Sequence, residues 1–218
     1  MARLLFEKTG NAIWISHLDL MRLFQRAFKR AGFPLKHTQG YNPKPSVSIA
    51  LPLSVGVESC CELLDYEIEC EIPDDNTLIR RLNEALVEGV KVLQIIPSAR
   101  KIRDIALLEC EVTLEYDSGA GETTMDEIRQ LFQRESLPVI KKSKNGPVEQ
   151  DIIPLIKRTE VFAGEQELVI RALVCCQNPS MNPVQLLGAI ERYLPELKPD
   201  HATYRRVEIY DNNENIFR

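Results

Sequence analysis

Residues Ser16–Pro45 read SHLDLMRLFQRAFKRAGFPLKHTQGYNPKP, and this stretch organises the chain. Ser16 suits a helix N-cap, and Asp19 three positions later completes a capping-box variant. Leu20, Phe24, Ala27, Phe28 and Ala31 recur at three- and four-residue steps, so they share one helical face. Arg22, Arg26, Lys29 and Arg30 centre nearly opposite that stripe, with Asp19 placed to orient Arg22. Gly32 stops the helix and Pro34 prevents its return. A polar loop follows, carrying Lys36, His37, Gln39, Tyr41, Asn42 and Lys44 and shaped by Gly40, Pro43 and Pro45.

Working outward, Arg3–Lys8 is a short strand before the helix, and Val47, Ile49 and Leu51 alternate as a strand after it. Leu64, Tyr66, Ile68, Cys70 and Ile72 alternate with Asp65, Glu67, Glu69 and Glu71, which predicts a half-buried strand with an acidic outer face. A second helix opens at Pro73-Asp74-Asp75, carries Leu78, Ile79, Leu82, Ala85 and Leu86, and ends at Gly89; Val90–Ile96 closes the set. The order is β-α-β-β-α-β, the split βαβ pattern. The second half repeats it more loosely. Leu108–Tyr116 alternates as a strand, and a helix introduced by Thr123 or Thr124 carries Met125, Ile128, Leu131 and Phe132. Leu137–Lys142 is a strand followed by a turn at Lys144–Pro147, and Asp151–Ile156 is ambiguous. Thr159–Phe162 and Glu167–Val174 form a hairpin, Asn182-Pro183 starts a helix with Val184, Leu187, Ile190 and Leu194 inward, and Tyr204–Tyr210 is the last strand. The expected fold is α+β: two tandem ferredoxin-like units with antiparallel sheets, residues 1–97 and 105–218, joined near Ser98–Asp104, with a loose polar tail from Asp211.

The net charge of −5 hides an asymmetry: residues 1–57 hold eight Lys/Arg and two acids, a net of +6, so the remaining 161 residues carry −11. A polyanion would be drawn to the N-terminal third and repelled elsewhere; the plainer alternative is that acidic strands offset a basic helix within one fold. No stretch approaches the roughly 20 apolar residues of a membrane span, and the N-terminus does not resemble a signal peptide, so a cytoplasmic protein with no membrane role is expected. The six cysteines, including the adjacent pairs Cys60–Cys61 and Cys175–Cys176, fit no metal-ligand spacing and are expected as reduced thiols.

Chemistry-bearing candidates are few. His17, first in the helix, is the one catalytic candidate: a general acid or base, a donor to phosphate at the helix N-terminus, or a locally hydrogen-bonded boundary residue. Nucleotide-loop, zinc-protease and nucleophile-elbow motifs are absent. The acids from Asp65 to Glu71 read as a solvated sheet face rather than a metal site, and no metal or cofactor is expected. Lys141, Lys142 and Lys144 make a second small basic cluster, either a further stretch of a nucleic-acid track or a solvated turn.

Two motifs, S-H-L-D-x-x-R-x-x-x-R-A-x-x-R-A at Ser16–Ala31 and Q-G-Y-N-P-x-P at Gln39–Pro45, resemble the radical-SAM-linked protein family, a bacterial domain of unknown function fused to radical-SAM proteins or encoded beside them. The likeness extends through Leu51–Glu58, and Tyr41 stands where the family usually carries phenylalanine. The resemblance implies a radical-SAM protein as partner and points towards RNA maturation or modification. Together with the basic third, it leads to an RNA-binding accessory protein presenting tRNA or rRNA to such an enzyme. Arg22, Arg26, Lys29 and Arg30 would neutralise phosphate, Tyr41 would stack on a base, Gln39 and Asn42 would make polar contacts, and Lys36 and Lys44 of the loop would add further RNA-binding donors. The alternatives are a metal-independent endoribonuclease using His17, and a pure interaction module for the partner enzyme.

Overall fold

In the computed structural model, residues 2–71, 74–97, 100–143, 146–164 and 167–218 are described. Two compact units divide between Asp104 and Ile105.

The first unit contains β1 (Ala2–Lys8), α1 (His17–Arg30), β2 (Val47–Ile49), β3 (Val57–Tyr66), α2 (Asp75–Ala85) and β4 (Val90–Ile96). Strand β1 is central: Leu4 lies opposite Leu64 of β3 and Ile95 of β4, both antiparallel. Strand β2 pairs the other edge of β3, Val47 opposite Tyr66, so the order is β4-β1-β3-β2. The apolar stripe of α1 packs with Leu78 and Leu82 of α2 against Leu4, Phe6, Leu64 and Val92. Phe6 meets Phe24 edge-on at 4.8 Å, and Phe28 meets Tyr66 at 5.0 Å. Each fully buried side chain of this kind contributes about 1.5–3 kcal/mol, and this face positions the opposite, outward face of α1.

Two expectations for this unit are corrected. Leu51 does not extend β2, because its φ of +48° turns the chain out of the strand. The acidic strand is displaced: β3 begins at Val57 and ends at Tyr66, and Ile72 lies outside the described residues. Beyond Tyr66 the backbone pairs with the segment after α1, through Lys36 N–H to Glu67 C=O and Glu69 N–H to Pro34 C=O. Asp65 is not a solvated face residue. It is buried and accepts two hydrogen bonds from the guanidinium of Arg3, its register partner, at 2.6 and 3.0 Å. Alternation in sequence reports a period, and both phases of this strand are buried, so it cannot say which side meets water.

The second unit contains β5 (Leu107–Glu115), α3 (Glu122–Leu131), β6 (Pro138–Ser143), β7 (Gly146–Asp151), β8 (Ile156–Ala163), β9 (Glu167–Cys175), α4 (Val184–Tyr193) and β10 (His201–Tyr210). Its sheet runs β10-β5-β9-β8, antiparallel throughout, and β6 and β7 pair as a separate hairpin. With the hairpin set aside, the order is again fourth, first, third, second. Strand β7 was not expected: its sequence, GPVEQD, has little alternation, and its register comes from β6. Helix α3 is capped by Gly121 rather than Thr123 or Thr124. On α4 the buried residues are Gln185, Leu186, Ala189 and Ile190, while Val184 is exposed. Gln185 goes inward because its amide is satisfied there, accepting from Asn182 N–H at 3.0 Å and donating to Gln150 at 3.2 Å. His201 opens β10. The tail is not loose throughout: Phe217 is fully buried, and its N–H bonds Ile209 C=O at 2.9 Å. The described residues thus form a mixed α/β protein with four α-helices and mostly antiparallel sheet pairing. None of these helices is long and apolar enough to cross a membrane.

Candidate functional site

Helix α1 begins where three polar groups close on one another. The Ser16 hydroxyl accepts from Asp19 N–H at 3.2 Å and donates to the Asp19 carboxylate at 2.8 Å. Arg22 donates to the other Asp19 oxygen at 3.0 Å. The Ser16 hydrogen bond, then Arg22, holds the Asp19 carboxyl below its ordinary range. His17 is half-buried beside this cluster, and no described side chain hydrogen-bonds to it. At the other end, Phe33 N–H bonds Phe28 C=O and Gly32 N–H bonds Lys29 C=O, with Gly32 at φ +81°. That is a Schellman closure, and it explains why the chain leaves the helix at Gly32.

Arg22, Arg26, Lys29 and Arg30 are all exposed, on the face away from the core. They are not equivalent. Arg22 shares its charge with Asp19. Arg30 donates to the carbonyl of Ala85, the last residue of α2, at 3.2 Å. Arg81 of α2 lies over the Phe33 ring at 5.6 Å, with one guanidinium nitrogen 3.8 Å from where a Cβ on Gly32 would stand. The two helices therefore place a cation at each other's C-terminus, where the backbone dipole is negative. The cleft of about 400 Å³ between Arg30, Ala31, Arg81, Glu84 and Ala85 is accordingly a helix-end junction rather than an anion pocket. Among the described residues, the side chains of Arg26 and Lys29 have no ion-pair or hydrogen-bond partner.

The loop after α1 is a narrow projection with a defined stem. Lys36 N–H and C=O bond Glu67 C=O and Ser46 N–H, and His37 bridges Pro45. Thr38 N–H bonds Lys44 C=O at 2.8 Å, and Lys44 N–H bonds the Thr38 hydroxyl at 3.0 Å. Gln39, Gly40, Tyr41, Asn42 and Pro43 form the exposed tip, with Gly40 at φ +133°, a conformation that favours glycine. The Tyr41 ring is wholly in solvent. The structure thus gathers Arg22, Arg26, Lys29 and Arg30 on one helical face, and Lys36, Gln39, Tyr41, Asn42 and Lys44 on one loop. No hydrogen bond or ion pair joins the two groups among the described residues.

The basic balance of the N-terminal third overstates its surface charge. Arg3 is buried against Asp65. Lys8 is buried too, donating to the carbonyls of Ile13 and Ile15 at 3.0 and 2.9 Å. Burial pushes the Lys8 amine below its ordinary value, partly offset by Glu62. In the second unit, Lys141 donates to Ser180 C=O at 2.7 Å; the side chain of Lys142, and Lys144 altogether, lie outside what is described. Burial raises the thiols of Cys110 and Cys176 to about 12 and about 11, which makes them inert packing groups. No group of three or more His, Cys, Asp or Glu among the described residues is arranged to hold a metal.

Sequence reasoning missed exposed apolar side chains before and at the start of α1 and next to Gly56. Trp14 is 67% exposed, Leu18 66% and Val55 52%. A signal was available: Leu18 stands four and eleven residues before Arg22 and Lys29, on the outer stripe and off the core stripe.

Comparison with solved structures places the fold among known ones. One chain of a crystal structure of a Cbf5-Nop10-Gar1 complex matches 95% of this protein at 10% identity with a TM-score of 0.54; this protein spans 48% of that chain. A likeness at that identity concerns the fold alone. An unknown protein from Galdieria sulphuraria matches over 94% of this protein and 97% of its own chain at 13% identity, but its TM-score of 0.27 carries no argument. No curated protein matches the sequence. The family model described as "Uncharacterized protein conserved in bacteria (DUF2344)" matches residues 2–183, and the chain belongs to that bacterial family.

Proposed function

We propose that this protein is an RNA-binding accessory protein whose first unit holds tRNA or rRNA for a radical-SAM modification enzyme. Each unit is read as ferredoxin-like, on the fourth-first-third-second strand order, with β6–β7 inserted in the second. The observation that carries the RNA reading is the pairing, in one unit, of an outward cationic helix face with a loop that puts a tyrosine wholly in solvent. Phosphates are met by cations without sequence preference, and unpaired bases by exposed aromatics with polar neighbours. In this reading Arg26 and Lys29 meet phosphate first, Arg22, Arg30, Lys36 and Lys44 support them, Tyr41 stacks, and Gln39 and Asn42 contact base edges. Gly40 and Pro43 shape the loop. The radical-SAM partner rests on the motif resemblance at Ser16–Ala31 and Gln39–Pro45.

A nuclease centred on His17 draws less support. A general base is useful when a second group fixes its orientation, and His17 has no such described partner.

The test is a salt titration of binding to bulk tRNA and to rRNA fragments, wild type beside Arg26→Ala/Lys29→Ala. Loss of two phosphate contacts lowers the slope of log K against log salt by about 1.4–1.8. An unchanged slope and affinity would make the α1 face a solvated surface and remove the proposal.

A further inference from the structure

We infer that Trp14 is a stacking platform for an unpaired base of a single-stranded RNA segment lying along α1. This rests on the RNA reading above and extends it to a residue and a strand state which that reading does not specify.

Trp14 ends a 3-10 turn, Gly10–Trp14, just before the Ser16 cap. The turn is held from beneath. The Lys8 ammonium bonds the carbonyls on either side of Trp14, those of Ile13 and Ile15, and Gly56 N–H bonds Ile13 C=O at 2.9 Å. The six-membered ring of the indole comes close to Gly56, where an added Cβ would stand 3.4 Å from Cζ3 and 3.8 Å from Cη2. Part of the ring rim therefore abuts Gly56, while the residue as a whole remains two-thirds exposed. An exposed indole carried on a turn whose backbone is fixed by a buried lysine offers a planar surface that can be stacked on without ordering a loop.

The neighbouring residues define what such a surface takes. Leu18 adds a second exposed apolar side chain on the first turn of α1, and Arg22 and Lys29 follow it on the same outer stripe. A ligand running along that stripe meets a flat apolar surface first and cations next. A nucleic-acid strand carries both complements, bases and phosphates, provided the bases are unpaired. The topology puts a second aromatic at the far end. Trp14 sits beside the start of β3, next to Gly56, and the Tyr41 loop is tied to its end through Glu67. The cationic helix between them has 14 residues, a span of about 21 Å.

Trp14 is the single tryptophan of the chain, so its emission reports on this surface alone. Single-stranded oligouridylate is titrated into the full-length protein at low salt, with bound fraction read by anisotropy of a labelled strand and Trp14 emission read with an unlabelled one. Emission should be quenched in step with binding. Trp14→Ala should bind roughly ten-fold or more weakly with its circular dichroism unchanged, and Trp14→Phe should keep most of the affinity. Duplex RNA of equal length should bind without quenching. If oligouridylate binds while emission stays constant, or if Trp14→Ala binds as wild type does, the platform is wrong and the cationic face alone holds RNA. If neither RNA binds at low salt, the platform and the RNA reading fail together.

Discussion

Strand β1 and helix α1 are separated by eight residues, and both carry basic side chains, but the two elements use them in opposite ways. On β1, Arg3 and Lys8 are buried. Arg3 is neutralised by Asp65 across the sheet, and Lys8 is held by two backbone carbonyls beneath the turn that precedes α1. On α1, Arg22, Arg26, Lys29 and Arg30 face solvent. A helix can devote its outer face to water because its core stripe is narrow. A central strand covered on both faces has no such freedom, so its charges must find partners inside the protein. Counting cations in a sequence therefore measures net charge but not the field that a ligand meets.

The sharpest way to break this contrast is Asp65→Ala, which leaves the Arg3 guanidinium buried without its carboxylate. Unfolding by urea should show a loss of about 3–5 kcal/mol. A stability equal to wild type would mean that Arg3 reaches water. Next comes Lys8→Met, which strips two carbonyls of their donor and should lower stability by about 1–3 kcal/mol. Its pH dependence sharpens the point. The folded amine titrates below its ordinary 10.5, so the unfolded chain holds the extra proton between the lowered value and 10.5. Wild-type stability should therefore rise with pH across that window, with a slope that Lys8→Met removes.

Smaller effects belong to the helix. Ser16→Ala removes the cap and should lower stability by about 0.5–2 kcal/mol, read as a lower thermal midpoint. Because the Asp19 carboxyl is held low by Ser16 and Arg22, its contribution is present above the ordinary carboxylate value and is lost as pH falls through the lowered one. Smallest of all, Arg26→Ala/Lys29→Ala should change stability by less than about 0.5 kcal/mol. A large loss there would mean that these side chains hold the fold together, and the division between inner and outer cations would collapse.

The second unit marks where local reading gives out. Strand β5 and the β8–β9 pair were legible because apolar and polar residues alternate across them. Strand β7 was not, since Gly146, Pro147, Glu149 and Gln150 carry no strand signal and the pairing with β6 decides their conformation. Helix α4 was legible as a helix but not in its facing, because Gln185 is polar in sequence and yet satisfied inside by Asn182 and Gln150. Phe217 illustrates the same limit: an isolated aromatic in a polar tail has no periodicity, and its burial follows from the bond between its N–H and Ile209.

By itself the sequence determined helix α1 from cap to stop, its core stripe, its cationic face and the loop that follows. Those features depend on contacts within about four residues, where spacing and backbone chemistry suffice. Only the tertiary structure decided that Arg3 and Lys8 are internal, that Asp65 faces a guanidinium rather than water, and that Trp14 stands exposed beside Gly56. Each of these depends on a group distant in sequence, or on which side of an element is covered, and local alternation is the same whichever side that is.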